Sequence, residues 1–101
     1  MSNHPMSLEL VIDETAQQAE ISRIVSVAHD MIVDRNSGGA QIGTYDIELN
    51  APIEGDEVIR AINRALSTKF SWLGGAKFVF VKNVGDGKIT IEVEPNITSW
   101  G

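Results

Sequence analysis

The chain has 101 residues, of which 43% are hydrophobic, and it contains no cysteine. This composition is typical of one packed domain and excludes a disulfide framework, a thiolate metal site and a cysteine nucleophile. The net charge of −6 argues against direct nucleic-acid binding, because neutralising phosphates requires clustered lysine and arginine. No apolar run approaches the roughly 18 residues of a membrane span and no secretion signal is recognisable, so we predict a cytoplasmic protein.

The two ends of the chain are expected to lie outside the folded domain. Residues 1–6 are short, polar and interrupted by Pro5, which predicts a mobile leader. A single α/β domain is expected over residues 7–95. Residues 96–101 form a predicted tail, in which Trp100 either docks on the domain or stays exposed.

Residues 7–13 alternate between apolar and polar side chains. Leu8 and Leu10 fall on one side of an extended chain, and Glu9 falls on the other. This period of two predicts a first β-strand.

Helical periodicity begins at Thr15, which forms a capping box with Gln18 three residues later. Apolar residues then recur at intervals of three and four, which predicts an amphipathic helix. Gly38 and Gly39 can adopt the left-handed conformation that ends helices, so we expect the helix to stop there. Its expected buried stripe consists of Ile21, Ile24, Val25, Ala28, Met31 and Ile32.

A second strand is predicted over residues 40–51. Gly43 interrupts the alternation near its start and predicts a bulge, and Pro52 ends the strand. The apolar side chains of this strand are Tyr45, Ile47 and Leu49.

A second helix follows Pro52. We predict that Glu54 or Asp56 caps its N-terminus and that it runs to about Leu73, before two glycines. Its expected buried stripe consists of Val58, Ile59, Ile62, Leu66, Phe70 and Leu73.

Residues 78–94 have the pattern of a β-hairpin, in which two β-rich runs flank a Gly-Asp-Gly turn. With Gly85 and Asp86 as the central turn residues, Val79 faces Glu92, and a slip of one residue would bury Glu92. The first arm is apolar on both sides, which predicts an interior strand, whereas the second arm predicts an edge. The face expected beneath the helices carries Phe78, Phe80, Ile89, Ile91 and Val93.

The predicted element order is β-α-β-α-β-β, which indicates an α+β fold. Right-handed crossovers place both helices on one face of the sheet. The expected architecture is therefore a two-layer α/β sandwich with a four-stranded mixed sheet. A ferredoxin-like order is disfavoured, because it has its hairpin in the middle of the chain.

The sheet face away from the helices is the predicted binding surface. An apolar centre inside a charged rim is the layout of many protein interfaces, and carboxylates steer a basic partner. A solvated face whose valines only reflect β propensity is the simpler interpretation, and homodimerisation through this face or its edge is a third. The predicted contact residues are Val79, Val81, Glu92, Glu94, Asp46, Glu48 and Glu9.

No catalytic, metal or cofactor motif stands out. His29 has no nucleophile and orienting acid in a recognisable arrangement. Asp30 and Asp34 provide fewer oxygen ligands than a cation site needs, and the hairpin turn lacks the spaced acids of a calcium loop. We therefore predict no catalytic residue, no metal ligand and no cofactor.

The leading hypothesis is a non-enzymatic module that binds another protein with a basic surface, as an inhibitor, adaptor or assembly factor. By size and charge alone, the chain fits the small acidic inhibitors that phages and other mobile elements encode. One alternative is a small enzyme or ligand-binding subunit whose site forms at a homo-oligomer interface, from His29, the acids and Arg60 or Arg64. Another is mimicry of nucleic acid, although 14 acidic against 8 basic residues is a modest excess.

Overall fold

The computed structural model of the protein describes residues 4–97, with side chains from Ala16 onward. None of the helices in this range combines the length and the apolar character that crossing a membrane requires. The elements in chain order are α1 (His4–Ile32), β1 (Gly43–Glu48), α2 (Asp56–Lys69), a 3₁₀ turn (Ser71–Leu73), β2 (Lys77–Gly85) and β3 (Lys88–Pro95).

The sheet has the strand order β1-β3-β2, and both of its pairings are antiparallel. Because β1 and β2 each run antiparallel to β3, they run parallel to each other, and α2 connects them. The predicted α+β class is confirmed. The predicted four-stranded mixed sheet is wrong for residues 4–97, which form a sheet of three strands. The predicted element order is also wrong, because the helices and strands of this range follow the order α-β-α-β-β. The second arm of the hairpin is the interior strand and the first arm is the edge, the reverse of the prediction.

The predicted first strand, residues 7–13, is part of α1. Leucine and glutamate favour helices, and no glycine or proline separates this segment from the helical stripe that follows. A short alternating run fits a strand and a helix equally well, so the longer helical pattern decides. Thr15 consequently lies inside the helix instead of capping it, and α1 begins at His4, within the segment predicted to be a leader.

The C-terminal half of α1 packs on the sheet through the predicted stripe. Ile24, Ala28 and Ile32 are fully buried, whereas Met31 is 42% exposed. The helix ends at Ile32, several residues before the glycines that were the predicted stop.

The start of α2 has no side-chain cap. Its N-cap residue is Gly55, whose φ of 91° and ψ of 149° suit glycine. Asp56 and Glu57 lie in the first turn, where their charges complement the helix dipole. The prediction that Glu54 or Asp56 caps the helix is therefore wrong. Of the predicted stripe, Ile62, Leu66 and Phe70 are buried, and Val58 and Leu73 are partly buried against the core.

The hairpin turn consists of Asp86 and Gly87, one residue later than predicted. Their φ angles of 55° and 74° are those of a type I′ turn, whose twist matches that of the flanking strands. This change moves the strand pairing by two positions, so by itself it leaves every side chain on its predicted face.

A β-bulge in β2 then reverses the faces of the first arm. The pairing is irregular between Val81 and Asn83, so Lys82 is the extra residue. One extra residue inverts the inward and outward alternation of everything that precedes it. Val79 therefore pairs with Val93 and is only 8% exposed.

The core lies between the sheet and the two helices. Phe78 and Phe80, which a regular hairpin places in this core, are not among its buried residues. The sheet contributes Ile47, Val79, Ile89, Ile91 and Val93 to it.

Candidate functional site

The open face of the sheet is the face that the helices do not cover. Strand alternation puts the even-numbered residues of β1 on this face. The β3 residues that pair with them, and the β2 residues that pair with those, lie on the same face. These described residues include four carboxylates and two lysines, so the face is acidic. The open face consists of Thr44, Asp46, Glu48, Phe78, Phe80, Lys82, Asn83, Lys88, Thr90, Glu92 and Glu94.

Four of the predicted contact residues lie on the open face and three do not. Val79 is buried on the helix side, and Val81 is partly buried there against the core, because the bulge turns both of them inward. Glu9 belongs to α1 and not to a strand, and its side chain lies outside the described residues. The four that lie on the open face are Asp46, Glu48, Glu92 and Glu94.

Two phenylalanines take the place of the two valines on the open face. Phe78 pairs with Glu94 and is 50% exposed. Phe80 pairs with Glu92 and is partly buried. Directly paired residues on one face are side-by-side neighbours, so each ring stands beside a carboxylate. The apolar part of the surface is therefore aromatic and lies at the edge of the sheet.

Glu92 and Glu94 are neighbours on the open face, and their carboxyl groups differ in proton affinity. A hydrogen bond between the two side chains lowers the pKa of Glu92 and raises the pKa of Glu94. Lys82 adds to the stabilisation of ionised Glu92, because its Nζ lies 3.3 Å from Glu92 Oε1. Glu92 is thus paired with a cation of this chain, whereas Glu94 experiences the negative charge of its neighbour.

On the β1 side of the open face, a side-chain hydrogen bond links β1 to β3. The Thr90 hydroxyl donates a hydrogen bond of 2.7 Å to Asp46 Oδ1. Glu48 pairs with Lys88 across the strands, which places opposite charges side by side. The carboxylates on this side therefore have neighbours within the sheet, and Glu94 is the most exposed acidic contact available to a partner at the aromatic edge.

Comparisons of the chain with protein-family models, with curated proteins and with solved structures found no match. Function must therefore be inferred from the side chains and their geometry.

The residues considered for catalysis do not come together. His29 is partly buried on α1, where its ring lies 5.5 Å from that of Phe70. Arg60 and Arg64 are exposed on α2. His29 therefore contributes to packing, and a site formed at an oligomer interface stays a prediction.

The described residues also offer no group of three acidic, histidine or cysteine side chains that could hold a metal ion. The Asp34 carboxylate accepts hydrogen bonds from the Asn36 N–H at 2.9 Å and from Gln41 Nε2 at 3.3 Å. These bonds lower the pKa of Asp34, with the Asn36 bond as the larger cause. Asp34 thus shapes the turn after α1.

Glu20 is a buried carboxylate with a structural role that the sequence pattern does not reveal. It is 5% exposed, and it forms a two-pronged ion pair with Arg23, with Nε at 2.7 Å from Oε1 and Nη2 at 2.9 Å from Oε2. Its Oε2 also accepts the backbone N–H groups of Asn50 and Ala51 at 2.6 and 3.2 Å. The Arg23 bond is the largest cause that lowers the pKa of Glu20 to about 2. Glu20 thereby fastens the loop after β1 to α1.

Proposed function

We propose that the protein is a non-enzymatic binding module that contacts another protein through the open face. The observation that carries this proposal is the β-bulge at Lys82, which turns Phe78 away from the core and sets it beside Glu94. Burial of an exposed aromatic ring supplies association free energy, and the carboxylates supply orientation and steering. The surface thus combines the two ingredients of a specific protein contact.

The charges of the open face favour a basic partner. The open face carries four carboxylates and two lysines, and one of these lysines, Lys82, already forms an ion pair within the chain, with its Nζ 3.3 Å from Glu92 Oε1. A lysine or arginine of the partner would complement Glu94 while its aliphatic stem covers the Phe78 ring. Such a contact suits an inhibitor, an adaptor or an assembly factor, and the cysteine-free sequence supports a cytoplasmic setting.

Affinity capture from the source cell with the tagged full chain tests this proposal. We expect the unchanged chain to retain a partner protein, and Phe78→Ala and Glu94→Lys to lose it. Met31→Ala is the matched control, because Met31 is 42% exposed on α1, away from the open face. Retention that weakens as salt rises would assign part of the affinity to the carboxylates.

The proposal fails if Phe78→Ala and Glu94→Lys retain the same partner as fully as the unchanged chain does. Circular dichroism of each variant checks that the variant is folded, so that a loss of binding is not caused by unfolding. A partner that is lost equally with Met31→Ala would move the contact from the open face to the helices.

A further inference from the structure

The outer side of β2 faces α2 through its backbone. The Val81 N–H points away from β3, because it donates a hydrogen bond of 2.8 Å to Asn63 Oδ1 of α2. The Ala76 C=O points toward β3, because it accepts a hydrogen bond of 2.9 Å from the Asn96 N–H just beyond that strand. Backbone directions along β2 are fixed by these two contacts.

Lys77 and Val79 present their backbone groups to the outside of the sheet. In an antiparallel ladder the N–H and C=O of successive residues point alternately to the two sides, so odd-numbered residues before the bulge follow Val81. The pairing of Lys77 with Pro95 agrees, since proline has no N–H to donate. Among the described residues, no side chain or loop bonds the outward backbone groups of Lys77 and Val79.

A groove of about 320 Å³ runs along this stretch of backbone, between β2 and the C-terminal half of α2. Ser67 and Ser71 line its helix side, and the buried side chains of Phe70 and Val79 also line it. Phe78 borders it on the strand side, next to the open face. The groove therefore joins unpaired backbone groups to the aromatic edge of the candidate site.

Backbone N–H and C=O groups in a row are complemented by another extended backbone, which is the basis of strand addition in peptide recognition. Because the Val81 N–H already donates a hydrogen bond to Asn63, an added strand would pair with Lys77 and Val79 and would end before Val81. Side chains of such a strand would alternate between the groove and the open face. On the open face they would lie beside Phe78, in the row that leads to Glu94.

We infer that the groove accepts an extended segment of a partner protein, which adds as a fourth strand along Lys77 and Val79 and sets a lysine or arginine beside Phe78 and Glu94. The carboxylate excess of the open face is the charge that selects a basic segment. A cation over the face of a partly exposed ring gains further attraction. This inference rests on the proposed function, because it states how the partner docks on the same surface.

Nuclear magnetic resonance of the isotope-labelled full chain tests the inference. The probe is a decapeptide of alternating lysine and threonine with blocked ends, titrated to millimolar concentration. We expect the amide signals of Lys77 and Val79 to shift, together with those of Phe78. A peptide of alternating glutamate and threonine is the charge control and is expected to leave these signals in place.

A variant pair checks the groove itself. Ser67→Tyr fills the groove from an exposed position on α2 and is expected to abolish the shifts. Thr68→Tyr, at the exposed neighbouring position that lines a different groove against α1, is expected to preserve them.

The outcomes separate this inference from the proposed function. Absence of shifts with the lysine peptide, or equal shifts with the glutamate peptide, would overturn the inference. Shifts confined to the open face, with the Lys77 and Val79 amides unchanged, would also overturn it while leaving the open face as a contact surface. Edge shifts that accompany full partner capture by Phe78→Ala would support pairing along Lys77 and Val79 but overturn the placement of a basic residue beside Phe78, and they would reject the open-face proposal.

Discussion

Replacement of Glu20 by glutamine tests whether one buried carboxylate fastens the loop after β1 to α1. The carboxylate receives four donated hydrogen bonds, two from Arg23 and one each from the Asn50 and Ala51 N–H groups. Glutamine has almost the same shape but offers one acceptor and one N–H donor group. In either orientation its amide therefore sets donors against Arg23 or against the loop.

The expected cost follows from the pKa of Glu20, which falls from an ordinary 4.5 to about 2 in the folded protein. Each pKa unit corresponds to about 1.4 kcal/mol, so the full difference is about 3 kcal/mol at neutral pH. The Arg23 side chain is 32% exposed, and water screens part of the attraction. We therefore expect Glu20→Gln to lower the free energy of unfolding by about 2 kcal/mol.

The pH dependence gives this prediction its sharper form. Because the folded pKa lies below the unfolded one, the stabilisation by Glu20 is fully present above pH 4.5 and is lost as pH falls toward 2. Urea unfolding of both proteins by circular dichroism, at several pH values between 7 and the acid limit of folding, measures the difference between them. The other carboxylates titrate equally in both proteins, so their contributions cancel in this difference.

Two results would refute the reasoning about Glu20. Equal stability of Glu20→Gln and the unchanged protein at pH 7 would show that the ion pair contributes nothing net. A destabilisation that persists undiminished toward the acid limit would assign the cost to shape instead of charge. Glu54→Gln, an exposed carboxylate in the loop before α2, is the matched control and should differ little from the unchanged protein.

Two further predictions test the hairpin. Val79→Ala is expected to lower the free energy of unfolding in urea by about 2 kcal/mol, because it opens a cavity in the core, whereas Phe78→Ala should lower it by well under half of that. A larger loss for Phe78→Ala than for Val79→Ala would indicate the regular pairing instead of the bulged one. Deletion of Lys82 removes the residue that forms the bulge and leaves every other pairing and face in place, so the protein should stay folded with a nearly unchanged urea midpoint. A large loss of stability would contradict the bulge, since in a regular hairpin the deletion would turn Phe78 and Phe80 out of the core and Val79 and Val81 into it.

The helices could be predicted to the extent that their apolar spacing runs over several turns. The stripe from Ile21 to Ile32 spans three turns, and a pattern of that length has no strand equivalent. Residues 7–13 are too short a segment for their period to identify a strand. Their alternation of leucine and glutamate is equally compatible with a helix. The boundary at Thr15 failed for the same reason, because a capping motif is also compatible with a helix interior.

The acidic part of the candidate site could be predicted, but its aromatic part could not. In β3 the isoleucines alternate with threonine and glutamate, so the side that carries Glu92 and Glu94 is unambiguous. In β2 the run from Phe78 to Val81 is apolar on both sides, so neither register exposes a charge to the core. The bulge at Lys82 decides between them, and it has no glycine or other mark in the sequence.

Among the described residues, each edge of the sheet has one outward backbone group bonded by a helix side chain, and the two edges differ in what lies beside their remaining backbone groups. On β1, the Arg23 guanidinium bonds the Glu48 C=O at 2.7 Å, so α1 occupies that end of the edge. On β2, Asn63 bonds the Val81 N–H in the same way, and Lys77 and Val79 lie beside an unfilled groove. Natural edges are usually blunted because a free row of backbone groups invites pairing with another chain. An edge left open directly beside a half-exposed ring and a carboxylate is therefore better explained by a partner strand than by packing within this chain.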